Sequence, residues 1–243
     1  MEKSAINGKK IAAGKAIGYI KNGMTLGLGT GSTAYWAIQG IGELVKNGLS
    51  VRAIATSMQS EALARELGIP ILPFAEIDHI DLTIDGADEV DERLNLIKGG
   101  GGALLREKIV ASATKFYIII VDGSKLVSKL GKFPLPVEVA PFGWEMTMRR
   151  LTALGCTARM RMADKKPLTD GIPSTDAKPF LTDNSHYILD CSFGLIEDPA
   201  LLHEQVSGIT GVMEDGFFIN MADIVVVGSP EGDTKVIERK YPK

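Results

Sequence analysis

Cysteine is nearly absent: Cys156 and Cys191 are the only two in 243 residues. They form no CxxC pair and lack zinc-ligand spacing, so neither a disulfide framework nor a structural zinc organises this chain. Free, partly buried thiols in a reducing compartment are the expectation. Histidine is scarce too. His79, His186 and His203 lie far apart, no HExxH occurs, and no carboxylate pairing suggests a triad. Hydrolysis by Ser-His-Asp or by zinc is therefore disfavoured, and no metal site is expected. A surplus of one charge is missing as well: 27 Lys and Arg stand against 30 Asp and Glu, a net −3. The Lys9-Lys10 and Lys165-Lys166 pairs are too short for a basic stripe, so nucleic acid is not an expected partner. No apolar run is long enough to cross a bilayer. The lysine-studded start MEKSAINGKKIAAGKAIGYI does not read as a signal peptide. The expectation is a cytoplasmic protein without a membrane partner.

What is present is ordinary in bulk, with 45% hydrophobic and 23% charged residues, enough for a substantial core. Its order is informative. Residues 3–21 carry apolar side chains at helical spacing, and Asn22-Gly23 suits a left-handed helix end. MTLGLG, VRAIAT, IPILP, IDHIDLTIDG and FYIIIVDGS read as strands. Helical stretches from TGSTA to Val45, at SEALARELG and at ALLREKIVASA separate them. Strand and helix alternate to about residue 125, which predicts an α/β, doubly wound, mainly parallel sheet with helices on both faces. The texture then changes. KFPLPVEVAPFGW is proline-punctuated and suits a linker or an edge strand. EMTMRRLTALG and DPALLHEQV read as helices, and CTARMRM and HYILDCSF as half-exposed strands. These imply a second, smaller α+β domain over 131–206. Residues 1–130 plus 207–243 form the large domain, to which DIVVVGS and TKVIERK return.

Four stretches carry chemistry. GLGTGST (27–33) follows a strand and opens a helix, where glycines and unpaired N–H groups can meet an anion. It is neither a P-loop nor a dinucleotide fingerprint, and a tight turn with an N-cap is the competing reading. DGAD (85–88) falls at a strand end, where open sheets bind ligands. Asp and Gly also make plain turns, and Glu89 and Asp91 just beyond are assigned to a solvated face. KGGGGALLREK (98–108) lies between apolar LNLI and an apolar helix, which argues against a flexible linker. Lys98 stands before the glycines and Glu107 early in the helix, where dipole stabilisation alone could account for an acid. VDGSK (121–125) is another strand end, and its Lys125 either reaches an anion or faces water. On one sheet edge these make an anion cradle, a lysine and several carboxylates, with no cofactor motif. Proton transfer beside the carbonyl of a sugar phosphate needs those parts.

In their order, GTGST, DGADEVD, KGGGGALLREK and VDGSK resemble type A ribose-5-phosphate isomerase, and the likeness continues through KFPLPVEV and LTDNSHYILD. The resemblance implies interconversion of ribose 5-phosphate and ribulose 5-phosphate, as in the non-oxidative pentose phosphate pathway. It also implies no cofactor, and a homodimer or homotetramer. It places the general base on Glu107 and an enediolate-stabilising cation on Lys98. Asp85 and Asp88 would hold sugar hydroxyls and serve ring opening or O–H proton exchange, with the division between them open. Thr30, Gly31, Ser32 and Thr33 match the substrate loop, as do Gly86, Ala87, Gly99, Gly100 and Gly101 at the other two turns. Lys125 would lie near the phosphate, and Lys9 matches in the first helix. Burial would raise the Glu107 pKa while Lys98 and the helix dipole lower it, and sequence does not rank these effects. Three alternatives compete: an amino-sugar-phosphate isomerase, a non-catalytic sugar-phosphate sensor, and an acyl-CoA transferase with a glutamate nucleophile.

Overall fold

A computed structural model describes residues 2–163 and 178–240, with side chains from residue 7 onward. The Lys165-Lys166 pair lies outside them. The chain runs α1 (Glu2–Ile17), β1 (Thr25–Leu28), α2 (Ala34–Lys46), β2 (Arg52–Ala55), α3 (Met58–Glu66) and β3 (Ile80–Asp85). Two short strands, β4 (Glu89–Val90) and β5 (Leu96–Ile97), precede α4 (Leu104–Ser112) and the longer β6 (Thr114–Asp122). Next come β7 (Leu135–Val139), α5 (Trp144–Ala153), β8 (Thr157–Met160), β9 (Tyr187–Ser192), α6 (Pro199–Ser207) and β10 (Val212–Asp215). β11 (Phe217–Phe218), β12 (Ile224–Gly228) and β13 (Thr234–Glu238) complete it.

Six strands form the main sheet in the order β13-β12-β6-β3-β1-β2. All neighbours are parallel except β12 and β13. Its central strands are apolar on both faces because both faces are covered. Along β6, Ile118 and Ile120 join Ala12, Ala16, Ile38 and Ile41 of α1 and α2. The alternate residues Tyr117, Ile119 and Val121 turn the other way, onto Val90, Leu96 and Phe218. These three belong to a small antiparallel sheet, β11-β5-β4. Each fully buried Ile or Val of this kind contributes roughly 1.5–3 kcal/mol. In the strand order, β1 leads through α2 to β2 on one side and has β3 on its other side. The chain therefore changes direction between β1 and β3, which opens a crevice beyond their C-terminal ends.

A four-stranded antiparallel sheet, β10-β7-β9-β8, packs under α5 and α6 around Leu135, Val137, Leu151, Leu189 and Val206. KFPLPVEV is thus neither linker nor edge, because β7 has β9 on one side and β10 on the other. Proline fits this interior strand because its backbone faces β10 only where that strand has ended. The Pro136 carbonyl accepts from Gly216 N at 2.8 Å, one residue past Asp215, so the missing N–H breaks no ladder bond. Segment 207–243 contributes β10 to this sheet before β12 and β13 enter the main one. IPILP makes a single bridge, Ala53 to Ile71, rather than a strand. Among the described residues, no helix is long and apolar enough to cross a membrane.

Candidate active site

The crevice is built from turns that leave the strand ends. After β1, Gly29 passes so close to β3 that a Cβ there would lie 2.1 Å from Asp85 Oδ1. Only glycine allows that approach. Thr30 N donates to Asp85 Oδ1 at 3.1 Å, and Gly86 N donates to the same oxygen at 2.7 Å. The Thr30 hydroxyl sits among three others, 2.7 Å from Thr56 Oγ1, 2.8 Å from Ser57 Oγ and 3.4 Å from Ser60 Oγ. Ser57 also caps α3, accepting from Ser60 N. This hydroxyl cluster was missed in the sequence, although the TS that ends VRAIATS lies at a third strand end on the same edge. Gly31 and Ser32 are exposed, and Lys9 Nζ donates to Ser32 Oγ at 2.9 Å, which ties α1 to the loop.

Asp85, Lys98 and Glu107 converge. Lys98 Nζ lies 3.0 Å from Asp85 Oδ2 and 3.4 Å from Glu107 Oε2, and none of the three is more than 4% exposed. Lys98 Nζ also donates to the Gly86 carbonyl, and Tyr117 Oη donates to Asp85 Oδ2 at 3.3 Å. The placement of Glu107 follows from α4, whose buried face reads Leu104, Glu107, Val110, Ala111. Glu107 occupies a position where helical spacing calls for an apolar residue. Its Oε2 is buried and has no hydrogen-bond partner among the described residues. The 3.4 Å approach of Lys98 is an ion contact without hydrogen-bond geometry.

The electrostatics follow from this burial. Loss of water pushes the Glu107 carboxyl up to about 8, against the downward pull of Lys98, and Asp85 and Asp88 add to the push. Burial works against the Lys98 ammonium, but Asp85 and Glu107 outweigh it and raise its pKa above the ordinary lysine value. The cation is therefore held charged beside one pinned carboxylate and one carboxyl poised near neutrality. Tyr117 is pushed well above the ordinary phenol range, first by burial and then by Asp85, so it serves as a neutral donor.

Asp88 is half-buried, and its Oδ2 accepts from Gly100 N at 2.7 Å. Gly100 and Gly101 are exposed, and Gly101 lies against the methyl of Thr30. The loops carrying residues 30–33, 86–88 and 99–101 thus meet at one mouth. Gly86 and Ala87 are half-buried there, and Gly86 lies near Thr33. Lys125 lies in the turn after β6, one strand along the same edge, half-buried. Glu89 is not on a solvated face. It is 3% exposed and accepts from Gly131 N and Phe133 N at 2.7 and 2.6 Å, which fixes the segment leading into β7. Asp91 closes its own turn by accepting from Arg93 N and Asn95 N, both at 2.8 Å.

Other polar groups lie elsewhere. Each histidine does have a carboxylate partner, contrary to expectation: His79 with Asp81, His186 with Glu138, and His203 with Asp215. The last two pairs form between residues that only folding brings together. His203, Glu214 and Asp215 hold potential metal-ligand atoms within 4.8 Å of one another. Lys108 Nζ already occupies that group, 2.7 Å from Glu214 Oε1 and 3.5 Å from Asp215 Oδ1. It reads as an ion-pair network fastening α4 to β10. Cys156 and Cys191 are buried free thiols in the antiparallel sheet's core. A cavity of about 800 Å³, bordered by Asp91, Arg93, Asn220 and Arg239, shares no residue with the acid–lysine group. Volume alone does not mark the chemistry here.

The chain is similar to known proteins along most of its length. Residues 52–232 match the family model of ribose 5-phosphate isomerase A, also called phosphoriboisomerase A. The chain is 50% identical over 228 residues to ribose-5-phosphate isomerase A of Bacillus mycoides, covering 93% of this chain and 98% of that protein. A solved D-ribose-5-phosphate isomerase in complex with phospho-erythronic acid superposes with a TM-score of 0.87 at 41% identity, covering 95% of this chain and 97% of that one. The ribose 5-phosphate isomerase A of Methanocaldococcus jannaschii gives 0.86 at 39% identity, covering 95% and 97%.

Proposed function

The chain belongs to the ribose 5-phosphate isomerase A family, and on that premise we propose that it interconverts D-ribose 5-phosphate and D-ribulose 5-phosphate through an enediolate. The observation that carries this reading is the buried Oε2 of Glu107, an acceptor without a hydrogen-bond partner among the described residues, on a carboxyl poised near 8. With the open-chain aldose in the crevice, Glu107 removes the C2 proton and the C1 carbonyl oxygen takes up the charge. The same carboxyl returns the proton to C1, while a proton moves from O2 to O1. Lys98, held charged by Asp85, stabilises the developing oxyanion. A fixed donor of this kind is worth roughly 10²–10³ in rate.

We infer a division of labour between the two acids. Both oxygens of Asp85 are engaged, one by Thr30 N and Gly86 N, the other by Lys98 and Tyr117. Asp85 therefore holds the lysine. Asp88, half-buried with one oxygen on Gly100 N, is the acid able to meet a substrate hydroxyl and exchange its proton. The loop 30–33 and Lys125 supply hydroxyls, backbone N–H groups and charge for the phosphate, and Lys9 orients Ser32. The buried thiols fit a reducing cytoplasm. Incubation with ribose 5-phosphate and no additions, followed for ketopentose, tests the reading. Conversion that survives chelator supports it. Binding without conversion would favour a sensor instead.

A further inference from the structure

The antiparallel sheet reaches into the site through one side chain. Arg161 follows β8, and its Nε donates to Asp190 Oδ2 at 3.0 Å while one terminal nitrogen pairs with Asp190 Oδ1. This two-point grip by a carboxylate on the neighbouring strand fixes the plane of the guanidinium. The remaining nitrogen, Nη1, is thereby aimed outward. It donates to the Gly99 carbonyl at 2.7 Å and approaches the Gly100 carbonyl at 3.5 Å.

The Gly99 carbonyl and the Gly100 N–H belong to one planar trans peptide group and point in opposite directions. Its oxygen is held by Arg161 and its N–H donates to Asp88 Oδ2 at 2.7 Å. The peptide plane is flanked by two glycines, with Gly99 at φ +106°. Glycine tolerates either orientation of such a plane, and within the loop the Gly102 N–H, which donates to the Gly99 carbonyl at 3.0 Å, shares that oxygen with Arg161. A flipped plane would turn the carbonyl oxygen onto the Asp88 carboxylate and leave the guanidinium without its acceptor. A cation bound to the carbonyl also polarises the amide and strengthens the N–H donor on its far side.

Resting on the isomerase reading above, we propose that Arg161, gripped by Asp190, is a positioning residue that, together with the Gly102 N–H, holds the orientation of the Gly99–Gly100 peptide and through it fixes the Asp88 carboxylate. The four-stranded sheet then completes the site rather than merely supporting it. Phe180, whose N–H donates to the Arg161 carbonyl at 2.8 Å, packs its ring against Gly102 and closes the same loop from that side.

The test compares wild type with Arg161→Ala, Arg161→Lys and Asp190→Asn on ribose 5-phosphate. Arg161→Ala is expected to lower kcat about 10- to 100-fold through a misplaced acid, with a smaller change in KM. Millimolar guanidinium, far below denaturing levels, should restore part of that kcat by docking on Asp190, and should not raise kcat in wild type. Arg161→Lys keeps the charge but loses the fork. It should fall below wild type at an unchanged melting temperature, which keeps the test open if the alanine variant fails to fold. Unimpaired kcat in either folded Arg161 variant overturns the inference. So does a loss that guanidinium does not relieve and that tracks a lowered melting temperature. Wild type that fails to convert ribose 5-phosphate overturns the functional reading and this inference together. Active wild type beside an unimpaired Arg161→Ala overturns the inference alone.

Discussion

Lys98 Nζ stands 3.4 Å from Glu107 Oε2 inside the protein, close enough to attract the carboxylate and not aligned to hydrogen-bond it. Asp85, at 3.0 Å and fully buried, is the closer partner of the two. The lysine charge is thus anchored on one acid and leaves the other with proton affinity to spare. A base needs that affinity, and a tight ion pair would remove it.

The first consequence is in the pH profile. With Glu107 near 8 in the free enzyme, kcat/KM should rise about tenfold per pH unit below that value and level off above it. A profile flat from about pH 6 to 9 would show that the base titrates elsewhere. Stability should respond with a definite sign. The folded pKa lies above the ordinary 4.5, so between 4.5 and about 8 the native state keeps a proton that the unfolded chain has lost. Stability from this group is therefore full below about 4.5 and falls as pH rises towards 8. Urea titrations should show wild type losing stability relative to Glu107→Gln across that window, and a constant difference between the two would contradict the buried, raised carboxyl.

Lys98→Met removes the cation and keeps the bulk. Turnover should fall roughly 10²–10³-fold. The fold should also weaken, by about 3–5 kcal/mol, because Asp85 is left as an uncompensated buried charge. Steady-state kinetics and chemical unfolding report the two losses separately. Full activity in this variant would remove Lys98 from the oxyanion role.

Two glycines make a matched pair. A Cβ at Gly29 would collide with Asp85, whereas one at Gly14 on α1 meets nothing within 4 Å. Gly29→Ala should cost about 1–3 kcal/mol through overpacking and should also lower kcat by displacing Asp85. Gly14→Ala should stabilise by up to about 1 kcal/mol through helix propensity and leave kcat unchanged. Thermal melts and kinetics on both variants check this, and equal effects at the two positions would contradict the packing described.

What was legible in the sequence is what local rules control. The apolar runs of β1, β3, β6 and β12 and the glycines and acids at their ends placed the sheet and its edge. The two-residue strands β4, β5 and β11 were not legible, because two residues carry no periodicity. The prolines of KFPLPVEVAPFGW suggested a linker or an edge strand because the rule against proline in sheets counts ladder bonds, and where a neighbouring strand stops is a tertiary fact. Glu89 looked solvated because its partners, the N–H groups of Gly131 and Phe133, are some forty residues away in sequence. Arg161 gave no signal for the same reason: its contact with Gly99 joins residues 62 apart in sequence. Asp85, Lys98 and Glu107 could be named from motifs, but the strength of their coupling came only from burial.

The most direct test of the account is Glu107→Gln, assayed for turnover of ribose 5-phosphate and, by calorimetry, for its binding. Glutamine keeps the shape and removes the proton acceptor. The account predicts a loss of roughly 10²–10⁴-fold in kcat with substrate still bound, and solvent deuterium entering the ribulose 5-phosphate made by wild type in heavy water. Near-normal turnover by Glu107→Gln would contradict it.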